Sequence, residues 1–295
     1  QDYYDNALNV ALPSAYKFVG TVFDSVISTY KEAGATLLAI HVGGDEVPDG
    51  AWEGSPVCRA LMEENGWTDV RELKDYYVNR VARIAEEKGV KIAGWQELCQ
   101  DLKDDTFELL KKNLYASGFW KLSRNRDALG YKLANDGVNV IIGCAPNAYL
   151  DFSYNYSKKE RGLCWGGHVD ERRSFSLQPY DLYRSVRWDD YGRMLDISGS
   201  GEDKLQLTPE GKSRITGVQG QLWAETIRNF DHVTYYIFPK ALGLLERGWN
   251  SEPSWAGTRT SDDPAFVEAF DKFYSIITNC EMPYYEKEGI CYHKN

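Results

Sequence analysis

Hydrophobic residues follow two alternating periods along this chain. Phe18, Val19, Val22, Phe23, Val26, Ile27 and Tyr30 recur three and four positions apart, which predicts a helix opening at Pro13 and Ser14 and ending at Gly34. Residues 36–40 follow as a short apolar run, the pattern of a strand buried on both faces of a parallel sheet. The pairing then repeats. A short helix over 57–64 and a longer one capped by Thr68, with Leu73, Tyr77, Val81 and Ile84 on one face, lead to a strand at 90–93. A helix at 105–112 precedes the next such unit, with a strand at 114–120, a helix at 124–136 and a strand at 138–142. A strand at 215–223 is followed by helices at 231–246 and 264–277. Five strands alternating with helices predict an α/β fold with a parallel sheet. Residues 152–213 interrupt this rhythm as a long polar and aromatic excursion, and loops of that length are uncommon unless they serve a function.

The strands share a second property. They end, in order, at Asp45 and Glu46, at Trp95, at Trp120, at Tyr149 with Asp151, and at Trp223 with Glu225. The first reaches its acids through His41-Val42-Gly43-Gly44, where paired glycines allow a sharp turn and the close approach of a ligand. The C-terminal ends of parallel strands are where barrel enzymes place their chemistry. Taken alone, Gly-Gly-Asp-Glu fits a solvated turn equally well, and core packing accounts for aromatics inside strands. Their recurrence at the same end of all five strands is better explained by one cleft. His41 itself reads as a buried strand residue, not as a base or ligand.

Composition narrows the classes. Forty aromatic residues (nine Trp, twenty Tyr, eleven Phe) are available. Most fill the core, but flat apolar faces with polar tips also suit sugar rings. A net charge of −10 argues against a nucleic-acid backbone as partner. No run of about 18 apolar residues predicts membrane insertion. The six cysteines show no metal-ligand spacing; Cys280 and Cys291 could close a short loop in an oxidising compartment, and six buried thiols fit as well.

Glycosidic bonds are usually cleaved by two carboxylates on opposite sides of the bond. Asp45 and Glu46 are adjacent, so at a strand end they point in different directions. That suits a reaction whose nucleophile belongs to the substrate. At this point His41-Val42-Gly43-Gly44-Asp45-Glu46, with Val47, Pro48 and Trp52 behind it, resembles the signature of the family 20 glycoside hydrolases, the β-N-acetylhexosaminidases. Gly94-Trp95-Gln96-Glu97, Trp120, Tyr149-Leu150-Asp151, Gln221-Leu222-Trp223-Ala224-Glu225 and Glu246-Arg247-Gly248-Trp249 match in the same order, across about residues 12–290.

The resemblance implies a (β/α)₈ TIM-type barrel that removes terminal β-linked N-acetylglucosamine or N-acetylgalactosamine with retention, without metal or cofactor. Glu46 is then the general acid and base, and Asp45 orients the 2-acetamido group whose carbonyl oxygen attacks the anomeric carbon. Tyr149 holds that oxygen, Trp95, Trp120 and Trp223 wall the pocket, and Asp151 and Glu225 read the outer hydroxyls. An acid working near neutral pH needs a raised pKa, which a neighbouring carboxylate and aromatic walls supply. Internal attack can lower the barrier by roughly 7–11 kcal/mol. The resemblance also implies a secreted, periplasmic or lysosomal location.

Only about five of the eight strand–helix units are recognisable. The carboxylate motif belongs to the family's fourth strand yet stands first here, and neither the first-strand arginine nor the third-strand Pro-Gly-His precedes it. Residues 1–295 are therefore expected to be the C-terminal portion of the catalytic barrel, its fourth to eighth strands. The remaining strands would come from a separate chain, a processed piece or a region not included. The alternative is a carbohydrate-binding fragment that needs those strands for turnover.

Overall fold

A computed structural model of the chain describes residues 7–48, 50–123, 126–186, 189, 191, 204–258 and 263–294. Residues 1–6 of the opening loop, 124–125 of the predicted fifth helix, and 187–188, 190 and 192–203 of the excursion lie outside the described residues. The chain divides into two compact units, the first ending at Gly118 and the second starting at Phe119.

In the first unit three strands run parallel: β1 (Ile40–His41), β2 (Ile92–Trp95) and β3 (Leu114–Phe119), whose last residue begins the second unit. The helices Pro13–Glu32, Pro56–Asn65, Arg71–Lys88 and Asp104–Asn113 connect or precede them. Ser55 caps the second helix, its Oγ accepting from the Cys58 amide. Arg71–Lys88 starts two residues later than a Thr68 cap requires; its N-cap position is Val70, and Asp69 just before it accepts from the Arg71 amide at 2.9 Å. A cluster of Val10, Trp52, Cys58 and Leu73 forms one core, so Trp52 of the opening motif is a packing residue, its indole donating to the Leu8 carbonyl at 2.9 Å.

One expectation fails here. Residues 36–40 are not buried on both faces: only Ile40 and His41 pair as strand, and Leu38 is 59% exposed. β1 pairs with β2 along one edge and is the terminal strand of the sheet among the described residues. Phe18, Val22 and Tyr30 of the first helix are exposed as well. His41, expected to be buried, is also exposed, for the same reason.

In the second unit β4 (Val140–Ile142) pairs in parallel with β5 (Ile215–Val218). The Gly143 amide, just past β4, donates to the Phe119 carbonyl at 2.9 Å, which ties Phe119 to the end of that strand. The excursion is no structureless loop. It carries short helices at Glu171–Phe175, Leu182–Ser185 and Pro209–Lys212, and it buries Phe152, Tyr154, Val169, Phe175, Leu177, Leu182 and Tyr183. The helix expected over 231–246 is two, Phe230–Ile237 and Ala241–Trp249, divided at Pro239, which lacks the amide proton a continuous helix needs there. Arg247 anchors the second of these. It is buried, with its guanidinium 4.6 Å from the centre of the Phe175 ring and 4.9 Å from that of Trp255. The last helix, Pro264–Ile276, continues through a wider turn into Met282–Glu288. None of the six cysteines forms a disulfide, so none closes the C-terminal loop; Cys58, Cys99 and Cys144 are buried, while Cys164, Cys280 and Cys291 are exposed.

Candidate active site

The acidic motif is placed by backbone geometry. The Val42 amide donates to the Ala93 carbonyl, and the Trp95 amide donates to that of Gly43, both at 2.9 Å, which extends the β1–β2 ladder past the regular strand. The chain then turns through Gly43 at φ 72° and Gly44 at φ 100°, left-handed values that side chains disfavour. A Cβ on Gly44 would stand 3.0 Å from Leu98 Cβ, and one on Gly94 would stand 2.9 Å from the Gly43 carbonyl oxygen. Both glycines are therefore required for the turn to press against β2. Glu46 follows at φ 48°, an unusual conformation for a residue with a side chain and one that concentrates at functional positions.

His41 braces the same turn. Its Nδ1 accepts from the Gly43 amide at 3.2 Å, and its ring meets Trp95 edge-on with centroids 5.1 Å apart. Although the residue is exposed on its outer side, partial desolvation of the ring holds its pKa below the usual histidine value, partly offset by the Asp45 charge. Of the predicted site residues, the first unit thus assembles Asp45, Glu46 and Trp95. Trp95 is buried, Asp45 half-buried and Glu46 exposed, so the enclosure expected around the acid is not supplied by this unit.

The other five predicted residues lie in the second unit. The run Tyr149-Leu150-Asp151 is held beside Gln221-Leu222-Trp223. The Gln221 amide donates to Ala148 at 3.0 Å, the Leu150 amide to Gln221 at 2.7 Å, and the Trp223 amide to Asp151 Oδ1 at 3.3 Å. Tyr149 is the hub of an aromatic cluster. Its ring lies nearly parallel to Trp120 (22°, centroids 6.1 Å apart) and meets Trp223 at 6.2 Å. Two further members were not among the predicted site residues. Trp165 stands edge-on to Tyr149 at 5.5 Å and to Trp120 at 6.5 Å, and Phe152 lies 4.7 Å from Trp165. Trp120 and Tyr149 are buried, whereas Trp165 and Trp223 are each more than a third exposed, giving the cluster a closed back and an open face.

Asp151 is only 1% exposed, and its Oδ2 has no hydrogen-bond partner among the described residues. Burial, with the nearby Glu225 charge, pushes its pKa up to about 6 against the lowering effect of the Trp223 amide and of Lys240. A buried carboxylate oxygen without a protein donor costs stability unless a water, an ion or a ligand supplies one. Glu225 is exposed. Among the described residues no group of His, Cys, Asp and Glu has the arrangement of a metal site, and no helix is long and apolar enough to cross a membrane.

Parallel strands that carry acids and tryptophans at their C-terminal ends match the layout of α/β-barrel enzymes, which place their sites at that end. The profile of glycosyl hydrolase family 20, catalytic domain, matches residues 1–252, and the chain belongs to that family. Its fold is of the (β/α)₈ barrel type, with five parallel strands and their helices among the described residues. The β-hexosaminidase of Vibrio vulnificus is 29% identical over 319 residues, covering 99% of this chain and 36% of that protein. The β-hexosaminidase B of Pseudoalteromonas piscicida is 28% identical over 252 residues, covering 85% and 31%. Among solved structures, an exo-β-N-acetylglucosaminidase from Vibrio harveyi in complex with N-acetylglucosamine superposes with a TM-score of 0.70 at 25% identity, over 99% of this chain and 38% of that one. The chain thus spans 31–36% of the length of these curated relatives.

Proposed function

We propose that this chain carries the catalytic residues of an exo-acting, retaining β-N-acetylhexosaminidase that removes terminal β-linked N-acetylglucosamine or N-acetylgalactosamine from glycans. In this reading Glu46 protonates the leaving oxygen and then activates water. Asp45 orients the 2-acetamido group and stabilises the charge that develops on its nitrogen as its carbonyl oxygen attacks the anomeric carbon. Tyr149 donates to that carbonyl oxygen; Trp95, Trp120 and Trp223 enclose the acetamide and the apolar sugar face. Asp151 and Glu225 take the outer hydroxyls. The observation that carries this reading is the cluster around Tyr149, where tryptophans with an open face stand beside a buried carboxylate, Asp151, one of whose oxygens has no donor among the described residues. Polar groups fixed at the edge of an aromatic wall are the pattern of a sugar subsite.

The test is hydrolysis of an aryl β-N-acetylglucosaminide by the purified protein and by Glu46→Gln and Asp45→Asn. Loss of turnover in both supports the assignment. Equal rates for wild type and Glu46→Gln would remove the general acid, and comparable turnover of the plain glucoside would remove acetamide participation. One observation favours a second reading, glycan binding without turnover: Glu46 is exposed while the aromatic cluster is fully assembled. Saturable binding with no hydrolysis by the intact assembly selects it.

We further propose that the remaining barrel strands pack against the uncovered apolar faces of each unit. In the first these are Leu38 and the Phe18–Val22 side of the opening helix. In the second, an open apolar groove of about 940 Å³ is lined by Leu150, Val218, Leu245, Trp249 and Ile276, with Trp249 91% exposed. Native mass spectrometry checks this: a single 33.6 kDa species that is folded and active by itself defeats it.

A further inference from the structure

Lys240 is completely buried in the second unit, at the start of the helix Ala241–Trp249. A buried ammonium is costly and persists only where its charge and protons are used. Its Nζ donates to the main-chain carbonyl of Phe152 at 2.6 Å and stands 3.8 Å from the centre of the Tyr154 ring. Its own carbonyl accepts from Ser174 Oγ at 2.5 Å, which fixes the backbone from which the side chain springs.

The Tyr154 ring is sandwiched in turn. His293 of the C-terminal tail stacks on it, centroids 3.7 Å apart and planes within 5°. The His293 amide donates to Phe238 at 3.1 Å, and its Nε2 lies 3.7 Å from Glu160 Oε2, whose partner oxygen accepts from Tyr235 at 2.6 Å. The tail is therefore locked onto the same cluster as Lys240. Burial lowers the Lys240 pKa to about 7, and the carboxylates of Asp151, Asp170, Glu160 and Glu171 work against that lowering. Lys240 in turn favours ionised Asp151.

What this cluster holds is the turn that bears the sugar-reading carboxylate. Phe152 directly follows Asp151, and its ring packs on Tyr149 at 5.4 Å. We infer that Lys240, steadied by Tyr154 and by His293 from the tail, is a positioning residue for Asp151. It fixes the Phe152 carbonyl and so makes the C-terminal tail part of glycone recognition without touching the sugar. The inference rests on the reading of Asp151 as the group that takes the outer hydroxyls.

The test titrates tryptophan fluorescence of the intact protein with N-acetylglucosamine and with its 4,6-dideoxy analogue. The proteins are wild type, Asp151→Asn, Lys240→Met and His293→Ala, each checked for folding by circular dichroism. Lys240→Met is expected to weaken N-acetylglucosamine about tenfold and His293→Ala about threefold, while affinity for the dideoxy analogue changes less than twofold. A purely structural role weakens both ligands alike. Equal losses for the two ligands, or none, in folded Lys240→Met overturn the inference, and His293→Ala carries the same comparison where Lys240→Met does not fold. No binding by wild type, or undiminished binding by Asp151→Asn, fails the reading of Asp151 itself and takes the inference with it.

Discussion

The two units place carboxylates by opposite means. In the first, Asp45 and Glu46 owe their position to the main chain: two left-handed glycines, a positive φ at Glu46, and ladder bonds from Val42 and Trp95. Their side chains are half-buried and exposed. In the second, Asp151 is held by packing, buried beside aromatic rings with one oxygen taken by the Trp223 amide. A group that must move protons gains from a rigid backbone and an accessible head. One that must discriminate hydroxyls gains from burial, where an unmatched donor or acceptor is expensive. The difference predicts that activity and stability separate in the first unit and are coupled in the second.

The largest effect tests the first half of that contrast. Glu46→Gln is expected to lower kcat by roughly 10²–10⁴-fold, the range of a lost general acid. Its stability to urea should change by less than about 0.5 kcal/mol, because the side chain is exposed. A stability loss as large as that of a core substitution would mean that Glu46 is held by packing after all, and the contrast would collapse.

Gly44→Ala probes the backbone itself. The new methyl meets Leu98 Cβ at 3.0 Å on a residue at φ 100°, so it should cost about 1–3 kcal/mol of stability. It should also reduce kcat by displacing Asp45 and Glu46, with no change to any ionisable side chain. Unaltered kcat with lowered stability would show that the turn is structural only.

Much of this arrangement is legible in the sequence because it is local. Apolar runs, glycine pairs and strand-end aromatics are neighbours along the chain, so Asp45, Trp95, Trp120, Tyr149 and Trp223 stand out as candidates without coordinates. Trp165 and Phe152 fall in a region without period, where nothing in the pattern marks which aromatics turn toward Tyr149. Lys240 is harder still, since a lysine at a helix start reads as a solvated charge, and only the fold buries it. The only partly buried stretch at 36–40 teaches a related point: an apolar run records what needs covering, not what covers it. The break at Pro239 was legible, and the apolar periodicity around it concealed it.

The smallest effect tests the second half of the contrast and follows from proton linkage. Asp151 has a folded pKa of about 6, above the unfolded value of about 3.9. A carboxyl whose pKa is raised on folding binds its proton more tightly in the native state, so the native protein loses stability as pH rises from about 4 to about 6 and no further above that. The two-unit gap corresponds to about 2–3 kcal/mol at neutral pH and to nothing below pH 4. Replacing the carboxylate by a neutral amide removes this penalty while leaving the shape. Asp151→Asn should therefore be more stable than wild type at pH 8, by up to about 2 kcal/mol, and should lose that advantage by pH 4, read by urea denaturation at the two pH values. The same variant should bind N-acetylglucosamine more weakly, and its KM should no longer fall as pH rises through about 6, as wild-type KM should when the hydroxyl-accepting carboxylate ionises. A variant less stable than wild type at pH 8 would show that the charge is already compensated, by Lys240 or otherwise, and that burial at Asp151 stores no free energy for the sugar to release.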